Sequence, residues 1–271
     1  MNTSKKYTPI ATLEHGRTIF EIMQIDNLDG ASSPVMAQAL FFAKQQGLHI
    51  RMVRIQLNDS TIKTEAGALY WYKGQIKAET DVKGVGSFLK KSIQGKLTSE
   101  SLAKPQYSGR GEIWLEPSFK HYLMIPLNGA SIIVDKGMFY AATGDVEIKP
   151  SVQKSVSAAV MGNEGFFQME ISGDGIVVLE SEVPESEISQ ISLQPGEILK
   201  VDGNFAVLRT KGVKFTVTNS NKGLISSGIS GEGFLNTFEG PGEVWLAPTL
   251  PLYRRLEFGQ AITNKNRGNN A

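Results

Sequence analysis

The sequence predicts an all-β fold of three pseudo-repeats of short antiparallel strands, with one short helix near the N-terminus, and three observations predict it. First, Leu57, Leu127 and Leu193 each begin a stretch with isoleucine five residues on (Ile62, Ile132, Ile198), glycine ten on (Gly67, Gly137, Gly203) and an apolar residue twelve on (Leu69, Phe139, Phe205). Second, a Gly-x-Gly pattern alternates with the first: Gly109-Arg110-Gly111-Glu112-Ile113-Trp114-Leu115, Gly173-Asp174-Gly175-Ile176-Val177-Val178-Leu179 and Gly240-Pro241-Gly242-Glu243-Val244-Trp245-Leu246. Third, the apolar residues of segments such as Val213-Lys214-Phe215-Thr216-Val217 fall at every second position, which places them on one face of a strand. A unit of about 65 to 70 residues is longer than the usual solenoid period, so three such units are expected to pack about a pseudo-threefold axis or against one another.

Taken in order, the chain begins Met1-Asn2-Thr3-Ser4-Lys5-Lys6, which is polar where a leader would be apolar, and this predicts a cytoplasmic protein. Ser33-Pro34 supplies a cap and a first-turn proline, no breaker follows until Gly47, and a helix is predicted over about 34–46. Its apolar residues Val35, Met36, Ala39, Leu40, Phe42 and Ala43 are expected to cover an end or open edge of the sheets. From Leu48 to Leu57 the alternation slips at Met52-Val53, as a β-bulge would produce. Ser87 to Ile93 reads as a short helix. In the second copy Ile132 to Val134, Phe139 to Ala142 and Val146 to Ile148 are strands separated by the turn residues Asp135, Gly137 and Gly144. The third copy repeats that punctuation. Residues 1–47 are thus an N-terminal extension, 48–262 one β domain with repeats at about 48–120, 121–186 and 187–258, and 263–271 a flexible tail.

Composition narrows the functional classes. A formal net charge of +1 offers no polyanion-binding tail, and no apolar run approaches the roughly 18 residues of a membrane span. With no cysteine in 271 residues, disulfides, thiol catalysis and thiolate metal sites are excluded.

Individual motifs favour structure over chemistry. Strand-like residues follow each Gly-x-Gly where a phosphate loop would need a helix, so the glycines are read as turns or close backbone approaches. Trp114 and Trp245 match Val178 of the middle copy, which argues for buried β positions. Glu112 and Glu243 match Ile176; as a carboxylate pair they are the best acid–base candidates, and a solvated strand face is the favoured reading. His15, His49 and His121 lack metal-ligand spacing, and Ser226-Ser227-Gly228-Ile229-Ser230-Gly231 is a glycine-rich turn with no nucleophile elbow. Lys83, Lys90, Lys91 and Lys96 form a modest basic cluster in which Phe88 is the only aromatic, short of a nucleic-acid surface. No catalytic residue, cofactor or metal is therefore expected. Tyr70, Trp71, Tyr72 and Tyr140 are the residues to line a ligand site; Tyr70 and Tyr140 are repeat-equivalent, with Ala206 in the third copy.

Glu164-Gly165-Phe166, Gly231-Glu232-Gly233-Phe234-Leu235 and the following Gly240-Pro241-Gly242-Glu243-Val244-Trp245-Leu246-Ala247-Pro248 resemble the AIM24 family, once catalogued as a domain of unknown function. The resemblance runs from about Leu48 to Phe258. In the first copy Ser99-Glu100-Ser101-Leu102 stands for the Gly-Glu-Gly-Phe element. It implies a double-stranded β-helix type of architecture like that of the tryptophan-responsive RNA-binding attenuator protein, called TRAP-like, without implying tryptophan or RNA binding. The family has bacterial members and mitochondrial relatives; without a mitochondrial-type leader at its start the chain is expected to be a bacterial member, and the resemblance brings no catalytic residues. The expected function is a non-catalytic β scaffold for a protein partner or for self-assembly, with no nucleic acid and no membrane insertion. A small-ligand or carbohydrate-binding protein is the alternative, an enzyme the third reading, and RNA binding the fourth.

Overall fold

The computed structural model describes residues 7–80, 104–135, 137–152, 167–202, 205–219 and 234–257. The short helix expected at 87–93, the lysine cluster, Gly203 and the tail 263–271 lie outside them. The described residues are mostly strand, and the strand pairs whose registers are given below are antiparallel.

The N-terminal segment holds β1 (Thr8–His15), β2 (Thr18–Ile25) and α1 (Pro34–Gln45). The first repeat supplies β3 (Ile50–Thr64), β4 (Leu69–Thr80) and β5 (Pro105–Leu115). The second supplies β6 (His121–Pro126), β7 (Ser131–Asp135), β8 (Phe139–Thr143), β9 (Glu147–Val152), β10 (Phe167–Ser172) and β11 (Ile176–Ser181). The third supplies β12 (Ser189–Leu193), β13 (Ile198–Asp202), β14 (Ala206–Thr210), β15 (Lys214–Asn219), β16 (Phe234–Glu239) and β17 (Gly242–Leu246), and α2 (Leu250–Glu257) closes the described chain.

The chain divides into two compact units: Met1–Ser131, Lys136–Ser151 and Gln168–Ser181 form one, and Ile132–Asp135, Val152–Phe167 and Glu182–Ala271 the other. In the first, strands run β1-β2-β3-β8-β11-β6, with β5 pairing both β3 and β4. Its core joins Phe20, Val53, Ile55, Ile62, Ile113, Leu115, Ile176 and Val178. In the second, β12-β17-β14-β7 form one run and β13-β16-β15 a separate sheet, around a core of Leu193, Val213, Phe215, Phe238 and Val244.

The two sequence patterns meet in every repeat. Leu57 stands opposite Gly111, the Leu127 amide donates to the Gly175 carbonyl at 2.8 Å, and Leu193 stands opposite Gly242. The second glycine of each pair is required by crowding. A Cβ there would lie 2.1 Å from the Lys73 carbonyl oxygen at Gly111, 2.0 Å from Thr143 Oγ1 at Gly175 and 2.2 Å from Thr210 Oγ1 at Gly242. In the second and third repeats that space lets the threonine hydroxyl accept the next amide, Ile176 at 3.2 Å and Glu243 at 2.9 Å.

A bulge follows at the same place in all three copies. The register shifts between Leu69 and Trp71 against Leu115 and Trp114, between Val178 and Leu179 against Ala141 and Phe139, and between Ala206 and Leu208 against Leu246 and Trp245. Beside it the amides of Glu116, Glu180 and Ala247 donate to the carbonyls of Ala68, Met138 and Phe205 at 2.8, 2.7 and 2.8 Å. These pairings move the third copy by one residue from the sequence count. Phe205 takes the place of Ala68 and Met138, and Val207, not Ala206, takes the place of Tyr70 and Tyr140.

Four further expectations are corrected. No bulge occurs at Met52-Val53, where β3 keeps register with β2; the shift lies at Asn58–Ser60, with Asp59 at φ 54°. Both residues are apolar because both faces of β3 are covered, Val53 by the main core and Met52 by a second cluster. The 1–47 segment carries more than a helix, since β2 pairs along β3 from Thr18↔Leu57 to Ile25↔Ile50. Helix α1 forms as read, with Ser33 Oγ accepting the Met36 amide at 3.2 Å and Gly47 at φ 66°, yet none of its residues is buried. Finally, 250–257 is a helix, held by a two-point Arg254–Glu182 ion pair at 3.0 and 2.8 Å and by the Tyr253 hydroxyl donating to Glu187 at 3.0 Å. No helix among the described residues is long and apolar enough to cross a membrane.

Candidate functional site

Side chains two apart on a strand share a face, and on the face of β2, β3, β4 and β5 turned away from the main core those positions hold Glu21, Met23, Met52, Arg54, Gln56, Trp71, Glu112 and Trp114. Cross-strand pairing places Met23 opposite Met52, Arg54 opposite Trp114 and Trp71 opposite Trp114. Trp71 and Trp114 stack with ring centroids 5.6 Å apart and planes 20° apart, and Tyr7 tilts against Trp114 at 5.1 Å. Met23 and Met52 complete this cluster.

Charge is organised around the same indole. The Arg54 guanidinium lies 5.7 Å from the Trp114 ring centroid, and its nitrogens reach Glu112 at 3.2 Å and Glu21 at 3.4 Å. Trp114 Nε1 donates to Glu112 at 3.3 Å, and Gln56 donates to Glu21 at 2.9 Å. One cation therefore holds two carboxylates over an aromatic floor. The pairs are only partly exposed, so solvent and salt screen them less than fully exposed ion pairs. Such a face can bind a planar or cationic group by stacking and charge.

The four aromatics expected to line a ligand site do not converge. Tyr70, at the bulge, and Tyr72 are largely exposed, and Tyr72 lies 6.2 Å from the Tyr107 ring. Trp71 joins the Trp114 cluster. Tyr140 belongs to the core: its ring lies 5.0 Å from that of Tyr122 and its hydroxyl donates to the Glu116 carbonyl at 3.1 Å. Burial drives the Tyr140 hydroxyl well above the ordinary tyrosine range and raises Tyr122 as well. Tyr140 is thus a core residue, and of the four expected residues Trp71 alone joins the Trp114 cluster.

Trp114 is buried, as the match to Val178 predicts, whereas Trp245 is half-exposed and donates through Nε1 to Glu243 at 3.4 Å. Gly67 and Gly137 sit in open turns at φ 82° and 84°. Gly109, Gly173 and Gly240 each abut a backbone carbonyl oxygen, of Gln75, Asp145 and Gln194 respectively. Arg54, Glu21 and Tyr7 escaped the sequence reading. The alternation of polar Arg54 and Gln56 with apolar Ile55 was the available signal, but an outward charge carries no mark of its cross-strand neighbours.

A family model described as "Mitochondrial biogenesis AIM24" matches residues 42–249. An uncharacterised protein of Streptococcus pyogenes serotype M6 is 23% identical over 222 residues, covering 79% of this chain and 88% of that protein. The crystal structure of a Streptococcus pyogenes protein aligns with a TM-score of 0.53 and 21% identity, over 77% of this chain and 94% of that one, a likeness of fold. With three quarters of its length matched by this family model, the chain belongs to the AIM24 family.

Proposed function

We propose that this protein is a non-catalytic, cytoplasmic β scaffold of TRAP-like architecture in a bacterium, acting through association with a protein partner or with itself. One observation carries the reading. Helix α1 exposes Val35 at 78%, Phe41 and Phe42 at 58% each and Met36 at 43%, and buries nothing. Exposed apolar side chains gathered on one capped helix mark an interaction surface. The test is light scattering at rising concentration together with affinity capture, on the wild type and on Phe41→Ser/Phe42→Ser. Association that weakens in the variant supports the reading. A wild type that stays monomeric and captures no protein overturns it.

The Trp71–Trp114 stack beneath Arg54 favours a second reading, a small planar ligand held on the first repeat. Tryptophan fluorescence that responds to a ligand in the wild type and not in Trp71→Ala would support it. An enzyme ranks third, because Glu112 is engaged by Arg54 and the Trp114 indole instead of facing a second free carboxyl group.

A further inference from the structure

The chain makes one strand-to-strand joint twice. The first repeat's β3 lies along the second repeat's β8, with Ile62 opposite Thr143, Lys63 opposite Ala142 and Thr64 opposite Ala141. The second repeat's β7 lies along the third repeat's β14 in the same way, with Ile132 opposite Thr210, Ile133 opposite Arg209 and Val134 opposite Leu208. The first and second repeats therefore each offer their Ile-initiated strand to the post-bulge strand of the next. Two halves of this joint have no partner among the described residues. The third repeat's β13, starting at Ile198, pairs only with β16, and the first repeat's β4, over Trp71 to Lys73, pairs only with β5.

Both free halves carry exposed apolar side chains, Ile198 at 58% and Tyr70 and Tyr72 at 56% and 43%. An open strand edge with apolar side chains is a template for pairing. The complement of each free half lies on the same chain, which identifies the occupant. We propose that β13 of one copy adds to the β4 edge of a second copy, placing Ile198 opposite Lys73, Leu199 opposite Tyr72 and Lys200 opposite Trp71. This rests on the association reading and gives it a site. Each copy has one donor and one acceptor, so the contact is head-to-tail and closes either by exchange between two copies or in a small ring.

The register can be trapped. In the β3–β8 joint the Gly144 and Glu65 amides donate to the Thr61 and Tyr140 carbonyls, which makes Ile62 with Thr143 a non-hydrogen-bonded pair, the geometry with the closest side chains. Its counterpart is Ile198 with Lys73. The natural chain has no cysteine, so Ile198→Cys and Lys73→Cys proteins can be mixed under mild oxidation on a clean background. The expected result is a covalent heterodimer formed at least tenfold faster than with Lys77→Cys in place of Lys73→Cys, and a shift of wild-type assemblies toward monomer in Ile198→Lys. No preferential cross-link, or a cross-link found only when one chain carries both cysteines, would overturn the joint. If the wild type still associates in that case, the association reading survives without it; a wild type that is monomeric throughout removes both.

Discussion

At four matching strand positions the first repeat carries Arg54, Trp71, Glu112 and Trp114, and the second carries Met124, Ala141, Ile176 and Val178. The backbone around them is the same, down to the glycine at the leading leucine and the bulge between the third and fourth residues after that glycine. The side chains have opposite assignments. In the second repeat Ala141, Ile176 and Val178 are buried in the main core with Met124 against them, whereas the first repeat turns the same face away from that core and furnishes it with a second cluster, an indole stack and a shared cation. What closes the backbone recurs in both repeats; what lies on this face does not.

The largest effect should come from the copied feature. Gly111→Ala and Gly175→Ala each force a Cβ to within about 2 Å of an oxygen, and each is expected to cost about 3 kcal/mol or more, read as a lowered denaturation midpoint. Gly67→Ala, in an open turn, should cost only about 1 kcal/mol, from its positive φ. Equal losses at Gly67 and Gly111 would remove crowding as the reason for the glycine pattern.

Exchanging side chains between the repeats comes next. Trp114→Val gives the first repeat the second repeat's residue and should cost about 2 to 3 kcal/mol, from lost burial and a cavity beside Met23, Met52 and Trp71. It should quench any ligand response and leave the fold intact by circular dichroism. Arg54→Met leaves Glu21 and Glu112 facing each other without their cation, with an expected loss of about 2 kcal/mol that Glu112→Gln partly restores in the double variant. Full additivity of Arg54→Met and Glu112→Gln would show that the charges do not act as a unit.

A smaller effect separates core tyrosines from surface ones. Because burial raises the hydroxyl pKa values of Tyr140 and Tyr122, their neutral forms contribute stability that is complete below the ordinary tyrosine value of about 10 and is lost as pH rises through the folded-state values. Stability should fall above about pH 10, and Tyr140→Phe, itself costing about 1 kcal/mol for the lost bond to Glu116, should flatten part of that fall. An unchanged alkaline limb would place Tyr140 outside the core. The smallest effect is predicted for the helix: Ser33→Ala should reduce helical signal and leave the melting temperature within about 1 °C, since α1 buries nothing against the sheets.

The backbone joint was legible in the sequence because it depends on residues without substitutes: only glycine fits opposite Lys73, Thr143 and Thr210. What escaped depends on neighbours far along the chain. Met52-Val53 reads as a slip in alternation, and the sequence alone does not distinguish a bulge from a strand covered on both faces. The third copy's extra residue ahead of Phe205 was hidden because Phe205 satisfies the apolar position as well as Ala206 does. The β1–β2 hairpin had a local signal in Gly16-Arg17, a two-residue loop between His15 and Thr18 with Gly16 at φ 59°, inside a segment read for its helix. Helix α2 had one too, in Thr249 followed by Pro251 within the first turn. The cluster around Trp114 had only the alternation of Arg54 and Gln56 with Ile55, which does not name partners: Arg54, Glu21 and Glu112 come from three strands, and only the register brings them together.

Native-state hydrogen exchange at three amides tests most directly whether one backbone unit is used three times. Glu116, Glu180 and Ala247 each donate across the bulge to the residue preceding the post-bulge strand. All three are predicted to exchange slowly, with protection lost together with their cores. Rapid exchange at Ala247, with Glu116 and Glu180 protected, would contradict the shared register in the third repeat and with it the threefold account of the fold.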